Sequence, residues 1–470
     1  MVVSSIFPRY QILESIALDI TIRVGSKHYL YTMNEHIEFS PEAQEAINLV
    51  THTQQNLYIT GKAGTGKSTL LDHIRNIPGQ EMVVLAPTGI AAIHVKGDTI
   101  HSFFKLKPGY ELDEAIHVPL SRRMKEKCQA LRCILIDEVS MLRADILDAI
   151  HVFLQRCRNN KDWFGGVRMI FFGDLYQLPP VVTDDDEARY NKLYQSPYFF
   201  SAHVFRQPDL FTPAFCLKQI ELTKVYRQTE QEFIHVLNAI RENRCEQNNL
   251  DFINQLVDKQ ADETEGSLVH LMGTNAQAYQ MNTARLSEIQ EKEICFQGLK
   301  TGSIGSLQPN DTMVKVKVGA QVMFINNDQD KRWVNGSLGK VEGILQEMDG
   351  ESGAPMQVLK VRLEEGKCVK VYPHTWEISK YVFEYGIFKR EPIGTFTQIP
   401  LKLAWAITIH KSQGKSFNRV VLDLGRGSFA HGQTYVALSR CRSLKGLILK
   451  QAIQPKDIIV DDRIVEYMKK

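Results

Sequence analysis

The sequence predicts an α/β protein with two parallel-sheet units and an antiparallel β module inserted in the second. Three observations lead to this prediction. Short apolar runs alternate with helical stretches from Asn56 to about Val182, a second alternation begins near Phe215, and residues 312–400 are rich in Gly and in alternating Val, Lys and Tyr. Buried runs joined by helical crossovers are typical of parallel sheets, whereas alternation of apolar and polar residues is typical of antiparallel strands.

The length and composition agree with several folded units rather than one. The chain has 470 residues, which at roughly 100–200 residues per domain corresponds to about three or four units. With 43% hydrophobic and 23% charged residues it has the balance of a globular protein, which excludes disordered and collagen-like chains. The formal net charge is only +2, so any polyanionic partner must be held by local groups.

Residues 1–35 form an N-terminal extension with a pattern of its own. Ile20, Ile22 and Val24 alternate with polar residues, and Gly25-Ser26 provides a turn, which predicts a short hairpin. Residues 1–20 lack the pattern of a signal peptide, and we expect no membrane-spanning segment.

The eight cysteines include no C-x-x-C pair. Reduced thiols are therefore expected, in an intracellular protein that is cytoplasmic in a bacterium or nuclear or mitochondrial in a eukaryote.

The strongest chemical signature follows the first predicted strand of the first unit, Leu57-Tyr58-Ile59. Residues 61–68 read G-K-A-G-T-G-K-S, a complete G-x-x-x-x-G-K-[ST] motif. Its glycines let backbone N–H groups surround a phosphate, Lys67 reaches the β- and γ-phosphates, and Ser68 binds Mg²⁺. The alternative, a flexible structural turn, is weaker because a strand and a helix flank the motif. We therefore expect ATP and Mg²⁺ as cofactors, bound by Gly64, Thr65, Gly66, Lys67, Ser68 and Thr69.

Polar residues also follow the last two predicted strands of this unit. Asp137 and Glu138 end the run Cys133–Ile136; Asp137 is expected to hold Mg²⁺ through water, and Glu138 to polarise the water that attacks the γ-phosphate. Adjacent acids at a strand end can instead cap a helix, but the phosphate-binding motif favours catalysis. Gln177 follows the run Met169–Phe172 and has a neutral side chain suited to sensing the γ-phosphate.

Phosphoryl transfer often uses an arginine that neutralises charge in the transition state. Two candidates lie far along the chain, Arg227 in T-K-V-Y-R-Q and Arg440 in Y-V-A-L-S-R. Taken singly, each is more simply explained as a surface arginine in a salt bridge. Their assignment therefore depends on the wider pattern of motifs.

Eight motifs, in order, resemble those of superfamily 1 DNA helicases in the form of the petite-integration-frequency (PIF) helicases, relatives of RecD-type enzymes. They are residues 61–68, 86–92, 99–104, 136–141, 173–180, 226–228, 409–414 and 435–440. The stretch from Asp145 through Phe164-Gly165-Gly166 to Gly173 also resembles the signature that separates PIF helicases from RecD. The resemblance covers about Phe39 to Ser443 and does not explain residues 1–35.

The resemblance implies two RecA-like P-loop domains with ATP in the cleft between them. The first would span residues 36–212, with a wedge for the duplex at about 103–121. The second would comprise residues 213–311 and 401–470. The inserted module, 312–400, resembles a small Src-homology-type β-barrel, which in relatives helps to roof the DNA path through an extended hairpin. Arg227 and Arg440 would then reach ATP from the second domain.

The resemblance also implies residues that read the adenine and the DNA. Gln44 lies where related helicases use a glutamine for the adenine edge, although a glutamine on a helix surface is a plain alternative. Small polar groups in matching motifs are suited to phosphate oxygens independently of base identity. They are Thr88, Thr99, His101, Asn275, His410 and Ser412. The two histidines are as well explained as core residues.

By resemblance, the chain is expected to be an ATP-dependent DNA helicase that translocates 5′ to 3′ and unwinds duplexes, forks or G-rich folded DNA. Its partners would be single-stranded DNA and DNA junctions, with other repair or replication proteins as further candidates, and we expect a monomer in solution. The alternative from another class is an ATP-switched DNA-binding or remodelling protein without strand separation. An RNA-acting ATPase is disfavoured by resemblance only, since phosphate contacts do not distinguish the sugars.

Overall fold

The computed structural model of the chain describes, with gaps between them, residues 20–24, 27–31, 38–78, 81–106, 115–182, 184–206, 214–228, 230–257, 266–305, 307–348, 350 and 353–469. Strand β1 (Ile20–Val24) pairs antiparallel with β2 (Lys27–Tyr31). The hairpin predicted in the N-terminal extension is thereby confirmed. Among the described residues, no helix has the length and apolar character needed to cross a membrane.

The first domain is built on a six-stranded parallel sheet. Its strands, in chain order, are β3 (Leu57–Gly61), β4 (Met82–Ala86), β5 (Asp98–Thr99), β6 (Cys133–Ile136), β7 (Arg168–Phe172) and β8 (Lys218–Leu222). Across the sheet they run β5-β4-β6-β7-β3-β8, and every neighbouring pair is parallel. Strands β3, β6 and β7 are buried throughout, because helices cover both faces of a sheet with parallel crossovers.

The helices of this domain pack on both faces of the sheet. They are α1 (Pro41–His52), α2 (Lys67–Arg75), α3 (Gly89–His94), α4 (Ile100–Phe104), α5 (Arg122–Ala130), α6 (Ala144–Arg158) and α7 (Asp184–Leu193). Helix α1 begins at a capped N-terminus, since the Ser40 side chain accepts from the Ala43 N–H and Pro41 occupies the first turn. Helix α2 begins at the carboxyl end of β3, where ligands bind in such sheets.

Helices α8 (Gln231–Arg241) and α9 (Gln247–Asn254), strand β9 (Val269–Met272) and helix α10 (Asn275–Glu288) lead into the antiparallel module. Its strands are β10 (Ile294–Gln297), β11 (Leu299–Gly302), β12 (Met313–Val316), β13 (Gln321–Phe324), β14 (Leu338–Met348), β15 (Pro355–Leu363), β16 (Cys368–Val371), β17 (His374–Glu384), β18 (Ile387–Gln398) and β19 (Leu401–Leu403). They form three sheets, β16-β15-β14-β13-β19, β11-β18-β17 and β10-β12. The antiparallel character is confirmed, while closure into a barrel stays a prediction.

The chain then completes the second domain. The remaining elements are β20 (Ala406–Thr408), β21 (Val420–Asp423), α11 (Gln433–Leu438), β22 (Leu447–Leu449) and α12 (Asp462–Met468). Strands β20, β9, β21 and β22 form a parallel sheet in that order. Strands β9 and β20 are neighbours in this sheet, and the antiparallel strands lie between them in the sequence.

The sheet pairings correct the predicted boundaries in three places. Strand β8 pairs with β3 along its whole length, so the first domain extends to residue 222 rather than 212. Strands β10 and β11 pair with β12 and β18, so the module begins at residue 294 rather than 312. Helix α12 leaves the second domain and packs on the first: Ile464 belongs to the apolar cluster of the first domain, and Tyr467 stacks on Phe200 at 4.4 Å.

The long hairpin of β17 and β18 also reaches the first domain. The Tyr381 N–H donates to Asp98 Oδ2 at 3.0 Å, and the Tyr381 hydroxyl accepts from the Val84 N–H at 3.3 Å. Phe388 of β18 stacks on Phe103 at 6.4 Å. The hairpin thus contacts the segment that follows β4. The central part of the predicted wedge, residues 107–114, lies outside the described residues.

Candidate active site

The phosphate-binding motif forms a tight loop between β3 and α2. Gly64 and Gly66 both have a φ of 83°, a left-handed conformation that favours glycine. A Cβ atom at Gly64 would lie 2.5 Å from the Cβ of Arg227. The absence of a side chain at Gly64 therefore also lets Arg227 approach the phosphate-binding loop. The Lys67 amine donates to the carbonyls of Gly61 and Lys62, at 2.6 and 2.9 Å. It therefore lies within the loop, where a phosphate would meet it.

The two acids lie at the end of β6, beside this loop. Burial and the neighbouring Glu138 raise the pKa of Asp137 to about 7, and burial raises the pKa of Glu138, while Lys67 opposes both shifts. Glu138 has a φ of 51°, a strained value for a residue with a side chain, as is found at functional sites. Asp137 and Ser68 both line the same cleft. Their carboxylate and hydroxyl oxygens are ligands that Mg²⁺ prefers in nucleotide sites.

The loop and the acids line a cleft of about 710 Å³ between the two domains. The first domain contributes the predicted loop residues together with Asp137, Glu138 and Gln177. The second contributes Arg227 and Arg440. The structure therefore brings together in one cleft all of the residues predicted to be catalytic, although Lys67 and Arg440 are 373 positions apart in the sequence.

The two arginines are held by backbone carbonyls of the second domain. Arg440 is 1% exposed and donates to the carbonyls of Val436, Ser412 and Lys415 at 2.8 to 3.3 Å. Arg227 donates to the Ser439 carbonyl at 3.3 Å. Burial, and for Arg440 also the nearby Arg227, lowers the pKa of both guanidinium groups, that of Arg440 to about 9. An anion in the cleft would therefore relieve an unfavourable concentration of positive charge.

A buried polar network joins the domains beneath the loop. The Asp174 carboxylate pairs with Arg241 of α8 at 3.0 Å, and both side chains are almost completely buried. Although burial opposes it, Arg241 holds the pKa of Asp174 below its usual value. The Tyr435 hydroxyl donates to Asp174 at 3.5 Å and accepts from the Ala63 N–H of the loop at 2.9 Å. Sequence reasoning missed this network, and Arg241 lies outside every motif that could have signalled it.

A second link between the domains runs through Gln413, which sequence reasoning also missed as a site residue. Its side-chain amide donates to Glu138 Oε2 and to Gln177 Oε1, both at 3.1 Å. Gln177 in turn donates to Asp174 at 3.4 Å. Gln413 lies inside one of the eight motifs, residues 409–414, so the sequence could have indicated it as a site residue.

The start of α1 forms the end of the cleft where adenine is predicted to bind. Phe39, Ser40 and Ala43 line it, and Phe39 packs against His73 with ring centroids 4.8 Å apart. Gln44 is exposed one turn after Ser40, and its N–H donates to the Ser40 carbonyl. A role for Gln44 in reading adenine stays a prediction. Phe39 also lines this end of the cleft, and the sequence reasoning did not single it out.

The predicted DNA contacts fall into two groups, one on each domain. Thr88 and Thr99 cap the helices α3 and α4 with their hydroxyls, and His101 follows Thr99 by two residues. Thr99 also lines a cavity of about 500 Å³ beneath the β17–β18 hairpin. On the second domain, Asn275 is exposed at the start of α10, and burial lowers the pKa of His410.

Ser412 differs from the other predicted DNA contacts. It is fully buried, and its hydroxyl donates to the Ile409 carbonyl at 2.7 Å. A contact between this hydroxyl and a DNA phosphate therefore requires the segment around it to move.

Known proteins resemble this chain over nearly all of its length. A family model described as PIF1-like helicase matches residues 39–251. The ATP-dependent DNA helicase Pif1 of Bdellovibrio bacteriovorus is 32% identical over 457 residues, which cover 95% of each chain. The ATP-dependent DNA helicase PIF1 of Rattus norvegicus is 33% identical over 448 residues, which cover 91% of this chain and 63% of the rat protein. This chain therefore spans less than two thirds of the rat relative.

Solved structures agree with the sequence matches. Bacteroides sp Pif1 in complex with ADP-AlF4 is 34% identical and has a TM-score of 0.81, covering 92% of this chain and 97% of that chain. The TM-score is 0.80 for the same protein unliganded and 0.63 for the same protein bound to ssDNA. The arrangement described above thus resembles the unliganded relative more than the ssDNA-bound one. With the RecA-like fold, the ordered motifs and this similarity in agreement, the chain belongs to the PIF1-like helicase family.

Proposed function

We propose that this chain, an ATP-dependent DNA helicase by its family, couples ATP hydrolysis to 5′-to-3′ translocation on single-stranded DNA and so separates duplexes, forks or folded G-rich DNA. One observation carries the proposal. Lys67 and Glu138 of the first domain line the same cleft as Arg227 and Arg440 of the second. ATP hydrolysis at such a site depends on how the two domains lie relative to each other. This dependence links hydrolysis to movement along a DNA strand.

The side chains suit the steps of phosphoryl transfer. The backbone N–H groups at the start of α2 and the Lys67 amine are placed to hold the β- and γ-phosphates. Glu138, whose pKa is raised by burial, is a carboxylate suited to accepting a proton from the attacking water. Gln177 lines the same cleft and has a neutral side chain suited to sensing the γ-phosphate, and Arg227 and Arg440 offer positive charge to the phosphate oxygens as they become more negative.

We further propose that Mg²⁺ accompanies the nucleotide, held by Ser68 and Asp137. These two residues supply a hydroxyl and a carboxylate on the wall of the cleft, and a magnesium ion in such sites takes its other ligands from phosphates and water. When bound, the ion would neutralise part of the charge on the β- and γ-phosphates.

The proposed partners are single-stranded DNA and forked junctions. Relatives have been solved bound to ssDNA and on forked dsDNA. In this chain, Thr88, Thr99, His101, Asn275, His410 and Ser412 are proposed to contact the strand. They offer short polar side chains rather than the bidentate pairs that read base edges. We therefore propose that binding is nearly independent of sequence.

Strand separation and its direction are tested together with matched duplexes that carry only a 5′ or only a 3′ single-stranded tail. We expect ATP-dependent unwinding from the 5′ tail and little from the 3′ tail, because the enzyme would load on the tail and open the duplex ahead of it. A blunt duplex is the control. Efficient unwinding from the 3′ tail alone would overturn the polarity, and ATP hydrolysis without unwinding of either substrate would favour an ATP-switched binding protein.

The salt dependence of binding tests the phosphate contacts. Affinity for an unstructured strand is expected to fall steeply as salt rises, with a log–log slope of roughly −0.7 per neutralised phosphate, because bound cations are released from the strand. Fluorescence anisotropy of labelled strands at several salt concentrations gives this slope. Strands of equal length and different sequence are expected to bind within a few-fold of one another; a strong preference among them would contradict binding through phosphates.

A further inference from the structure

The segment that joins the ATP cleft to the predicted DNA face is residues 409–416, here called the linking loop. Gly414 and Ser416 of this loop line the ATP cleft. On its other side, His410 and Ser412 are proposed DNA contacts, and the Lys415 amine donates to Asn335 of the antiparallel module at 2.6 Å. One short loop therefore contacts the nucleotide site and the module and carries two of the proposed DNA contacts.

The loop is tied to the catalytic residues at two points. Arg440 donates to the Ser412 and Lys415 carbonyls, both at 3.3 Å. The Gln413 amide donates to Glu138 and to Gln177 across the domain interface, both at 3.1 Å. An amide nitrogen has two hydrogens, so both bonds form at the same time. Gln413 thus occupies one oxygen of the carboxylate that must accept a proton from water.

We infer that Gln413 is a positioning residue that restrains Glu138 in this arrangement, and that a DNA strand releases the restraint when it moves the linking loop. The hydrogen bond takes up an acceptor site of the Glu138 carboxylate that would otherwise polarise the attacking water.

The link to DNA follows from the position of Ser412, the residue next to Gln413. Its hydroxyl is fully buried and bonded within the loop, so a strand that contacts it must displace the loop. Because Gln413 is in the same short segment, the displacement also separates its amide from Glu138. This inference rests on the proposed function, in which Glu138 is the base and the loop faces DNA.

The test measures kcat and KM for ATP with and without a saturating unstructured single strand. Gln413→Leu removes the hydrogen-bond donor and keeps a side chain of similar size. We expect its kcat without DNA to rise about tenfold, the range of one hydrogen bond to a charged group, while kcat with DNA and KM stay within about twofold of wild type. The stimulation by DNA therefore falls. Gln413→Met, which likewise cannot donate and has a similar size, is expected to change kcat in the same direction.

Gln451→Leu is the matched control. This glutamine belongs to the second domain and donates to the Gly425 carbonyl, away from the cleft, so both rates should match wild type. If Gln413→Leu and Gln413→Met keep the wild-type stimulation, or lose hydrolysis equally with and without DNA, the restraint is absent. A wild-type kcat that DNA leaves unchanged would instead overturn the proposed coupling and this inference with it.

Discussion

Replacing Lys67 by alanine is expected to lower ATP turnover by ~10³-fold or more, because the amine is the charge that meets the β- and γ-phosphates. The structure places it within reach of the loop carbonyls of Gly61 and Lys62, so its loss removes a group already positioned for phosphate. Steady-state ATPase with saturating single-stranded DNA measures the effect. Lys192→Ala, an exposed lysine on α7, is the control and should keep wild-type turnover.

Glu138→Gln separates binding from chemistry at the same site. The amide keeps the size of the carboxylate and can still accept from Gln413, but it cannot take a proton from water. We expect turnover to stop while a fluorescent ATP analogue binds with near wild-type affinity. If Glu138→Gln retains turnover, Glu138 is not the base; if Lys67→Ala retains it, the phosphates are held by other groups.

Arg227→Ala and Arg440→Ala are each expected to lower kcat by about 10²-fold or more with little change in KM for ATP, since the charge they meet develops in the transition state. The two variants should differ in stability. Arg440 is buried and donates to the carbonyls of Val436, Ser412 and Lys415, so its removal breaks three hydrogen bonds at a buried position, which is costly. The Val436 and Ser412 carbonyls still accept from the Ser439 hydroxyl and the Lys415 N–H, so the Lys415 carbonyl is the acceptor most affected. Arg227 donates to Ser439 alone among the described contacts.

Paired measurements of kcat and of the melting temperature distinguish the roles of the arginines. We expect Arg440→Ala to lose both catalytic rate and melting temperature, and Arg227→Ala to lose mainly rate. Arg440→Lys is the matched variant, because an ammonium keeps the charge but cannot reproduce the planar set of donors. A near-normal kcat for either alanine variant would make that arginine structural only.

The sequence alone determined the parts of this protein that depend on local backbone chemistry. The loop between β3 and α2 needs glycine at Gly64 and Gly66, where φ is positive, so the motif is visible as a spacing. Asp137 and Glu138 follow a run of four apolar residues, which marks the end of a buried strand. The ordered motifs then placed Arg227 and Arg440 opposite these groups, because each motif belongs to a recurring position in the fold.

The tertiary structure alone decided which distant segments pair. Strand β8 reads as the start of the second unit, yet its backbone bonds to β3, and β10 and β11 join the module although they precede its most regular stretch. Helix α12 packs on the domain that lies farther from it in sequence. Arg241 carries no local signal for Asp174, and although Gln413 lies in a motif, nothing in that motif indicates Glu138 as its partner across the interface. The physical reason is that strand pairing and buried polar bonds depend on which surfaces meet after folding, whereas a phosphate-binding loop depends on the conformations of neighbouring residues.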